Sequence, residues 1–235
     1  MKAAIVTGAS GGIGRATAEL LLEDGWTVGL IARRADKLHE IDHPNALPLP
    51  CDVTDAPAME AAFARFVAET GRLDLLFNNA GMFGPACPPD EVSVEAFDAV
   101  VAVNLRGMFI AARLAFGQMR RQVPQGGRII NNGSVSAHVP RENSICYTTT
   151  KHAITGLTRS LSLDGRDLGI ACGQIDIGNA ETELVAELKA RQPDMPTMAL
   201  ADAARAVLQM AQLPLTANVQ FMTIMATRMA YIGRG

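Results

Sequence analysis

The 235-residue chain is 49% hydrophobic and 19% charged, and 21 Lys and Arg against 24 Asp and Glu leave a formal net charge of −3. So much apolar material with so little net charge excludes a disordered chain, and the near-balance of signs leaves no general field to draw nucleic acid or an anionic membrane. Cys51, Cys87, Cys146 and Cys172 stand far apart, with neither Cys-x-x-Cys spacing nor a Cys/His cluster, so neither a metal site nor a redox pair is expected.

The first β-type run, Ala3 to Val6, is far too short for a signal segment and enters a glycine-rich stretch at once. That stretch, Thr7-Gly8-Ala9-Ser10-Gly11-Gly12-Ile13-Gly14, opens a helical stretch over Gly12 to Glu23. Strand, glycine turn and helix in this order form a phosphate cradle: glycines let the backbone approach a pyrophosphate, and free N–H groups with the helix dipole stabilise its charge. Gly8, Ser10, Gly12, Ile13 and Gly14 are therefore candidate cofactor contacts. A second run, Thr27 to Ile31, leads into Ala32-Arg33-Arg34, and a third, Ala46 to Leu49, carries Pro48 between Pro44 and Pro50. Proline lacks the N–H a central strand needs, which sends the third run to the rim of a sheet. Asp52 and Val53 follow it, then a helical stretch over Ala56 to Glu69.

The fourth run, Leu73 to Phe77, ends in Asn78-Asn79-Ala80-Gly81. A long helical stretch over Val94 to Gln122 holds Asn104 among apolar residues, where an unpaired amide would be costly. The fifth run, Arg128 to Asn131, leads to Ser134, and the helical stretch over Ser144 to Leu168 carries Tyr147 and Lys151, four residues apart and hence on one face. Ile170 to Ile175 and Val219 to Ile224 complete the β-type runs, with helical stretches over Ala180 to Ala190 and Ala201 to Met210. Such alternation is the pattern of α/β architecture: a Rossmann-type doubly wound parallel sheet of about seven strands, helices on both faces, in the order 3-2-1-4-5-6. Ligands then sit at the switch between strands one and four, beyond the carboxyl ends.

The turn has the form Thr-Gly-x-x-x-Gly-x-Gly, and with Asn79-Ala80-Gly81, Asn104, Ser134 and Tyr147-x-x-x-Lys151 in that order the chain resembles the classical short-chain dehydrogenase/reductase family. The resemblance implies an oxidoreductase that moves a hydride between a nicotinamide cofactor and a small-molecule carbonyl or alcohol. It assigns Tyr147 as acid/base, Ser134 as donor to the substrate oxygen with Ser136 its rival, and Lys151 as the cation that favours phenolate and holds the nicotinamide ribose. A free phenol has a pKa of about 10, so a lowered value is expected. Asn104 is assigned a local helix distortion and a water-mediated link to Lys151; an exposed asparagine is the alternative. Asp52 and Val53 are expected at the adenine, Asn79, Ala80 and Gly81 at its ribose and the central sheet, and Gly178 and Thr182 at the nicotinamide end. A helix cap and an Asx turn are the bland readings of Asp52 and Asn79.

At the end of the second strand a carboxylate would bind ribose hydroxyls, whereas arginine would favour a 2′-phosphate. Ala32 followed by Arg33 favours NADP(H) over NAD(H), with Asp36 a rival acid in the next helix and Arg15 a helper only if it folds back toward Arg33. His138 and His152 read as packing or surface residues. Two departures stand out: relatives often carry Asn-x-Ser-Ser where this chain has Asn131-Asn132-Gly133-Ser134, and Pro-Gly where it has Ile177-Gly178. Residues 1–235 are expected to form one dinucleotide-binding and catalytic domain, with residues 179–198, including Leu184, Val185 and Leu188, covering the substrate; an amphipathic helix packed on the core is the equal alternative for that stretch. A cytoplasmic homodimer or homotetramer without nucleic-acid or membrane partners is expected. A non-catalytic NAD(P)-binding sensor or structural protein, and an epimerase or dehydratase, are the alternatives.

Overall fold

The computed structural model describes residues 2–191 and 193–232, with the side chains of Leu184, Glu187, Leu188 and Arg191 outside the description. The described residues form seven strands: β1 (Ala3–Thr7), β2 (Thr27–Ala32), β3 (Ala46–Pro50), β4 (Leu75–Asn78), β5 (Gly127–Asn132), β6 (Ile170–Gly178) and β7 (Phe221–Met225). They pair in parallel in the order β3-β2-β1-β4-β5-β6-β7. Parallel neighbours need crossovers, supplied by α1 (Gly12–Glu23), α2 (Ala35–His39), α3 (Ala56–Thr70), α4 (Val94–Val101), α5 (Met108–Arg121), α6 (Ile145–Gly165), α7 (Glu183–Arg191) and α8 (Leu200–Gln212). The proline-bearing β3 lies at the edge, with Pro48 opposite Leu30.

Side chains alternate across a strand, so each strand feeds two cores. Ala4 and Val6 of β1 join Leu21 and Leu22 of α1 and Val207 and Met210 of α8 on one face. Ala3 and Ile5 join Met59, Phe63 and Phe66 of α3 and Ile110, Ala111 and Met119 of α5 on the other. Each fully buried Leu, Ile, Phe or Met contributes about 1.5–3 kcal/mol relative to exposure.

Beyond shifts of a few residues at element ends, three differences from the sequence reading bear on the site. The stretch over Val94–Gln122 is one rod broken by a π-helical turn over Ala102–Gly107, which separates α4 from α5 around the buried Asn104. Its length and apolarity would let the rod over Val94–Arg121 cross a membrane, but here Val100, Met108, Ile110, Ala111, Ala115 and Met119 are buried in the fold. The sixth strand continues past Ile175 to Gly178, because Asp176 is satisfied inside the protein rather than ending the strand. The helix expected from Ala180 begins at Glu183, since Ala180 bridges to Met198 and Thr182 Oγ1 accepts the Val185 N–H at 3.1 Å.

Candidate active site

The carboxyl ends of the central strands open into a cleft of about 630 Å³ lined from Arg33, Arg34 and Asp52 at one end to Tyr147, Val185 and Met229 at the other. Its floor is the glycine turn. Gly8 and Gly12 have φ of +69° and +53°, the left-handed region that favours glycine, and a Cβ on Gly14 would collide with the Gly8 carbonyl. Among the described residues no side chain caps α1, and its first turn holds no acid, so its leading N–H groups remain available to an anion. A free helix terminus, a cradle that side chains would fill and cations at one end fit a phosphorylated dinucleotide.

Thr7 and Asn79 tie this turn to the sheet. Thr7 Oγ1 accepts the N–H groups of Asn79 and Ala80 at 2.9 and 3.0 Å, and Asn79 Nδ2 donates to the Thr7 carbonyl at 3.0 Å. Asn79 Oδ1 accepts from Asn132 Nδ2 at 2.8 Å, linking the ends of β1, β4 and β5. These long-range bonds go beyond a local Asx turn. Asp52 lines the cleft beside Val53, and its Oδ1 accepts from the Thr54 backbone and hydroxyl at 2.9 and 2.8 Å, which holds the carboxyl below its usual pKa. The cap of α3 is instead Asp55, whose side chain accepts the Ala58 N–H.

Arg33 lies 79% exposed at the cleft, 4.0 Å from Asp52. Its neighbour Arg34, not singled out from sequence, donates to Ser10 Oγ and the Ser10 carbonyl at 3.2–3.3 Å and so places a second cation against the glycine turn. Only the doubled arginine hinted at this. Arg15 is held by Glu19 and Glu40 at 2.9 Å each and does not fold back toward Arg33, while Asp36 lies in α2 and is not among the cleft-lining residues.

At the other end, Tyr147 and Lys151 share one face of α6. Ser134 lines the cleft with the phenol, and Lys151 Nζ donates to the Asn132 carbonyl at 2.6 Å, 5.4 Å from the Tyr147 ring centroid. Burial pushes the Lys151 ammonium down to about 8 against a partial upward pull from Asp176. Burial also raises the Tyr147 phenol, more than Ser134 and Arg141 lower it, which reverses the expected lowering. Desolvation penalises the phenolate here more strongly than the nearby donors and cations favour it. The neutral phenol is the form that can donate a proton. Ser136, the rival hydroxyl, also lines the cleft, in the 3₁₀ turn over Val135–Ala137, and its N–H donates to Ser134 Oγ at 3.1 Å.

Asn104 is fully buried, so the exposed alternative falls. Its carboxamide accepts the Met82 N–H and donates to the Met82 carbonyl, both at 2.8 Å, and donates to Thr150 Oγ1 at 3.1 Å. The π turn thus satisfies the amide by bracing the loop after Gly81 and the residue before Lys151. Gly178 and Thr182 line the cleft, as do Phe83 and Arg141, which sequence reasoning missed. Phe83 meets Tyr147 edge to face with centroids 4.8 Å apart, and Arg141 Cζ lies 5.5 and 5.6 Å from the two rings. His152 bonds within its own helix, whereas His138 meets Asp176 and is more than a surface residue. Segment 179–198 closes on itself: Met198 donates to the Asn179 carbonyl, Glu181 donates to the Met198 carbonyl, and Asn179 Nδ2 donates to the Pro196 carbonyl. Val185 reaches the cleft; the expectations for the Leu184 and Leu188 side chains lie outside the described residues.

Residues 2–193 match the family model described as short chain dehydrogenase. The chain is 37% identical over 195 residues to cis-4-hydroxycyclohexanecarboxylate dehydrogenase of Sinomonas cyclohexanicum, covering 80% of this chain and 77% of the relative. It is 34% identical over 207 residues to L-fucose dehydrogenase of Oryctolagus cuniculus, covering 87% and 72%. A solved structure of a variant actinorhodin polyketide ketoreductase with NADPH superposes with a TM-score of 0.87 at 26% identity, covering 96% of each chain.

Proposed function

The chain belongs to the short chain dehydrogenase family and is an oxidoreductase of alcohol and carbonyl groups, and we propose that it works with NADP(H), using Tyr147 as acid/base. The observation that carries this reading is the convergence of Ser134, Tyr147 and Lys151 in one cleft, with Lys151 one helical turn from the phenol. The glycine turn and α1 terminus would hold the pyrophosphate, Arg33 and Arg34 the 2′-phosphate, Asp52 and Val53 the adenine, and Asn79 to Gly81 its ribose. Lys151 would hold the nicotinamide ribose, with Gly178 and Thr182 at the ring. Bound there, the cofactor supplies hydride. In reduction Tyr147 donates its proton to the carbonyl oxygen while Ser134 donates a hydrogen bond to the same atom as charge develops on it. Lys151, fixed by the Asn132 carbonyl, and Asn104, acting through Thr150 and Met82, keep the proton path in register. The segment over 179–198 covers the substrate and excludes water.

The arginine pair supports NADP(H). Arg33→Ser is expected to weaken NADPH binding about tenfold or more and to leave NADH binding within about twofold, because it removes a charge-assisted contact only the 2′-phosphate uses. Tighter binding of NADH than NADPH by the unaltered chain, titrated at equal salt, would overturn the preference.

Arg141 supports a substrate that brings a carboxylate or similar acceptor, since its Nε is buried with no hydrogen-bond partner among the described residues. NADPH oxidation against matched ketones with and without a carboxylate tests both function and substrate class. The acidic member of each pair should show the lower KM, and Arg141→Met should erase the difference while sparing the neutral ketone. Preference for the neutral ketones would reject the anion contact, and silence across the panel would move the protein to the NAD(P)-binding sensor. That sensor needs the glycine turn but not the Ser134–Tyr147–Lys151 set, which is why the enzyme reading is preferred. Exposed Val94, Phe109 and Leu163 on α4, α5 and α6 support a homodimer or homotetramer, and four free cysteines support a reducing, cytoplasmic setting.

A further inference from the structure

We infer that Asp176, completed by His138, is a positioning residue that clamps the Ser134 loop, and that Gly133 exists to admit its carboxylate. The inference rests on the role proposed above for Ser134.

Asp176 is 0% exposed, the single acid in an otherwise uncharged strand whose residues are all buried. Removing one partner of a buried carboxylate is strongly destabilising, so its donors carry information. Oδ1 accepts the Ser134 backbone N–H at 2.9 Å and Gln174 Nε2 at 2.7 Å, and Oδ2 meets His138 Nε2 at 2.8 Å. Two of these three donors belong to the loop that leaves β5. One is the residue bearing the reacting hydroxyl, and the other follows the 3₁₀ turn over Val135–Ala137. The carboxylate therefore pins both ends of the turn that aims Ser134 Oγ at the Tyr147 phenol.

Gly133 is part of the same device. A Cβ built there would fall on Asp176 Oδ1, with Gln174 Nε2 2.6 Å away. The space taken by a serine side chain in the family pattern Asn-x-Ser-Ser is filled here from the neighbouring strand, so Gly133 and Asp176 form one substitution in space. His138 closes the pair at the surface, with its side chain 38% exposed. The titratable groups facing Asp176 are His138 from the loop and Tyr147 and Lys151 from α6. The opposing β7 residues, Met222, Thr223 and Ile224, carry none. Its negative charge raises the proton affinity of both Tyr147 and Lys151, which provides a readout that a purely structural role would lack.

The test is steady-state reduction kinetics of the full chain with NADPH over a pH series. Asp176→Asn keeps an acceptor for Ser134 and Gln174 but loses the charge. Its kcat should fall about tenfold or more with the NADPH KM unchanged, as expected when a reacting group is misplaced by a fraction of an ångström. The alkaline limb of its reduction profile should move to lower pH, because Tyr147 loses its proton more easily. His138→Leu should lower kcat similarly, and His138→Gln, which keeps a donor to Oδ2, should restore most of it. This histidine pair serves equally if Asp176→Asn fails to fold. An active wild type with unaltered kcat and an unmoved profile in Asp176→Asn, or equal kcat in the two His138 variants, would overturn the clamp alone. A wild type inactive on every carbonyl would overturn the proposed function and the clamp together.

Discussion

Tyr147→Phe is expected to bind NADPH as the unaltered chain does and to reduce carbonyls ~10²–10⁴ times more slowly, the usual contribution of a positioned general acid. The ring keeps its edge-to-face contact with Phe83 and its packing beneath Arg141, so only the hydroxyl is lost. The pH dependence follows from its environment. Burial holds the phenol above its usual value, so reduction, which needs the neutral phenol, persists through neutrality and is lost only as pH rises through that elevated value. Alcohol oxidation, which needs the phenolate, has the opposite slope. Stopped-flow NADPH oxidation separates chemistry from binding; wild-type turnover in the variant would remove Tyr147 from the chemistry.

Lys151→Met is expected to abolish most turnover and yet make the protein harder to unfold near neutral pH. The Lys151 ammonium has its pKa pushed from 10.5 to about 8 in the folded chain, so the unfolded chain holds this proton more tightly. Below pH 8 the buried charge therefore costs about 3 kcal/mol of stability, and the penalty fades as pH rises from about 8 to about 10.5. Methionine removes the charge at similar volume but leaves the buried Asn132 carbonyl without its donor, which takes back about 1–2 kcal/mol. The net gain of about 1–2 kcal/mol corresponds to a Tm rise of about 2–8 °C for a chain of this size. Thermal unfolding followed by circular dichroism at pH 7 measures it. A lower Tm would show that the ammonium is held by stronger interactions than its bond to Asn132.

Much of this architecture is legible along the chain because its causes are local. Alternating strand and helix patterns, prolines that push β3 to the rim, and glycines between β1 and α1 each act within a few residues. The Tyr147 and Lys151 pair is equally local, being one helical turn. What escapes the sequence depends on partners far away in it. Asp176 looks like the end of a strand until Ser134 and His138, 42 and 38 residues earlier, satisfy its carboxylate. The π turn exists because Asn104 must reach the backbone of Met82, which no periodicity reports. The direction of the Tyr147 shift is set by desolvation, which only the folded cleft imposes. Arg34 was hidden behind Arg33 because their side chains diverge, one to Ser10 and the other toward Asp52.

A crystal structure of the chain with NADPH and a bound ketone decides whether Tyr147 and Ser134 meet the reacting oxygen. The Tyr147 phenolic oxygen and Ser134 Oγ should each lie about 2.6–3.2 Å from the ketone oxygen, with the 2′-phosphate against Arg33. A ketone oxygen met by neither hydroxyl, with the phenol turned away from the nicotinamide, would contradict this placement.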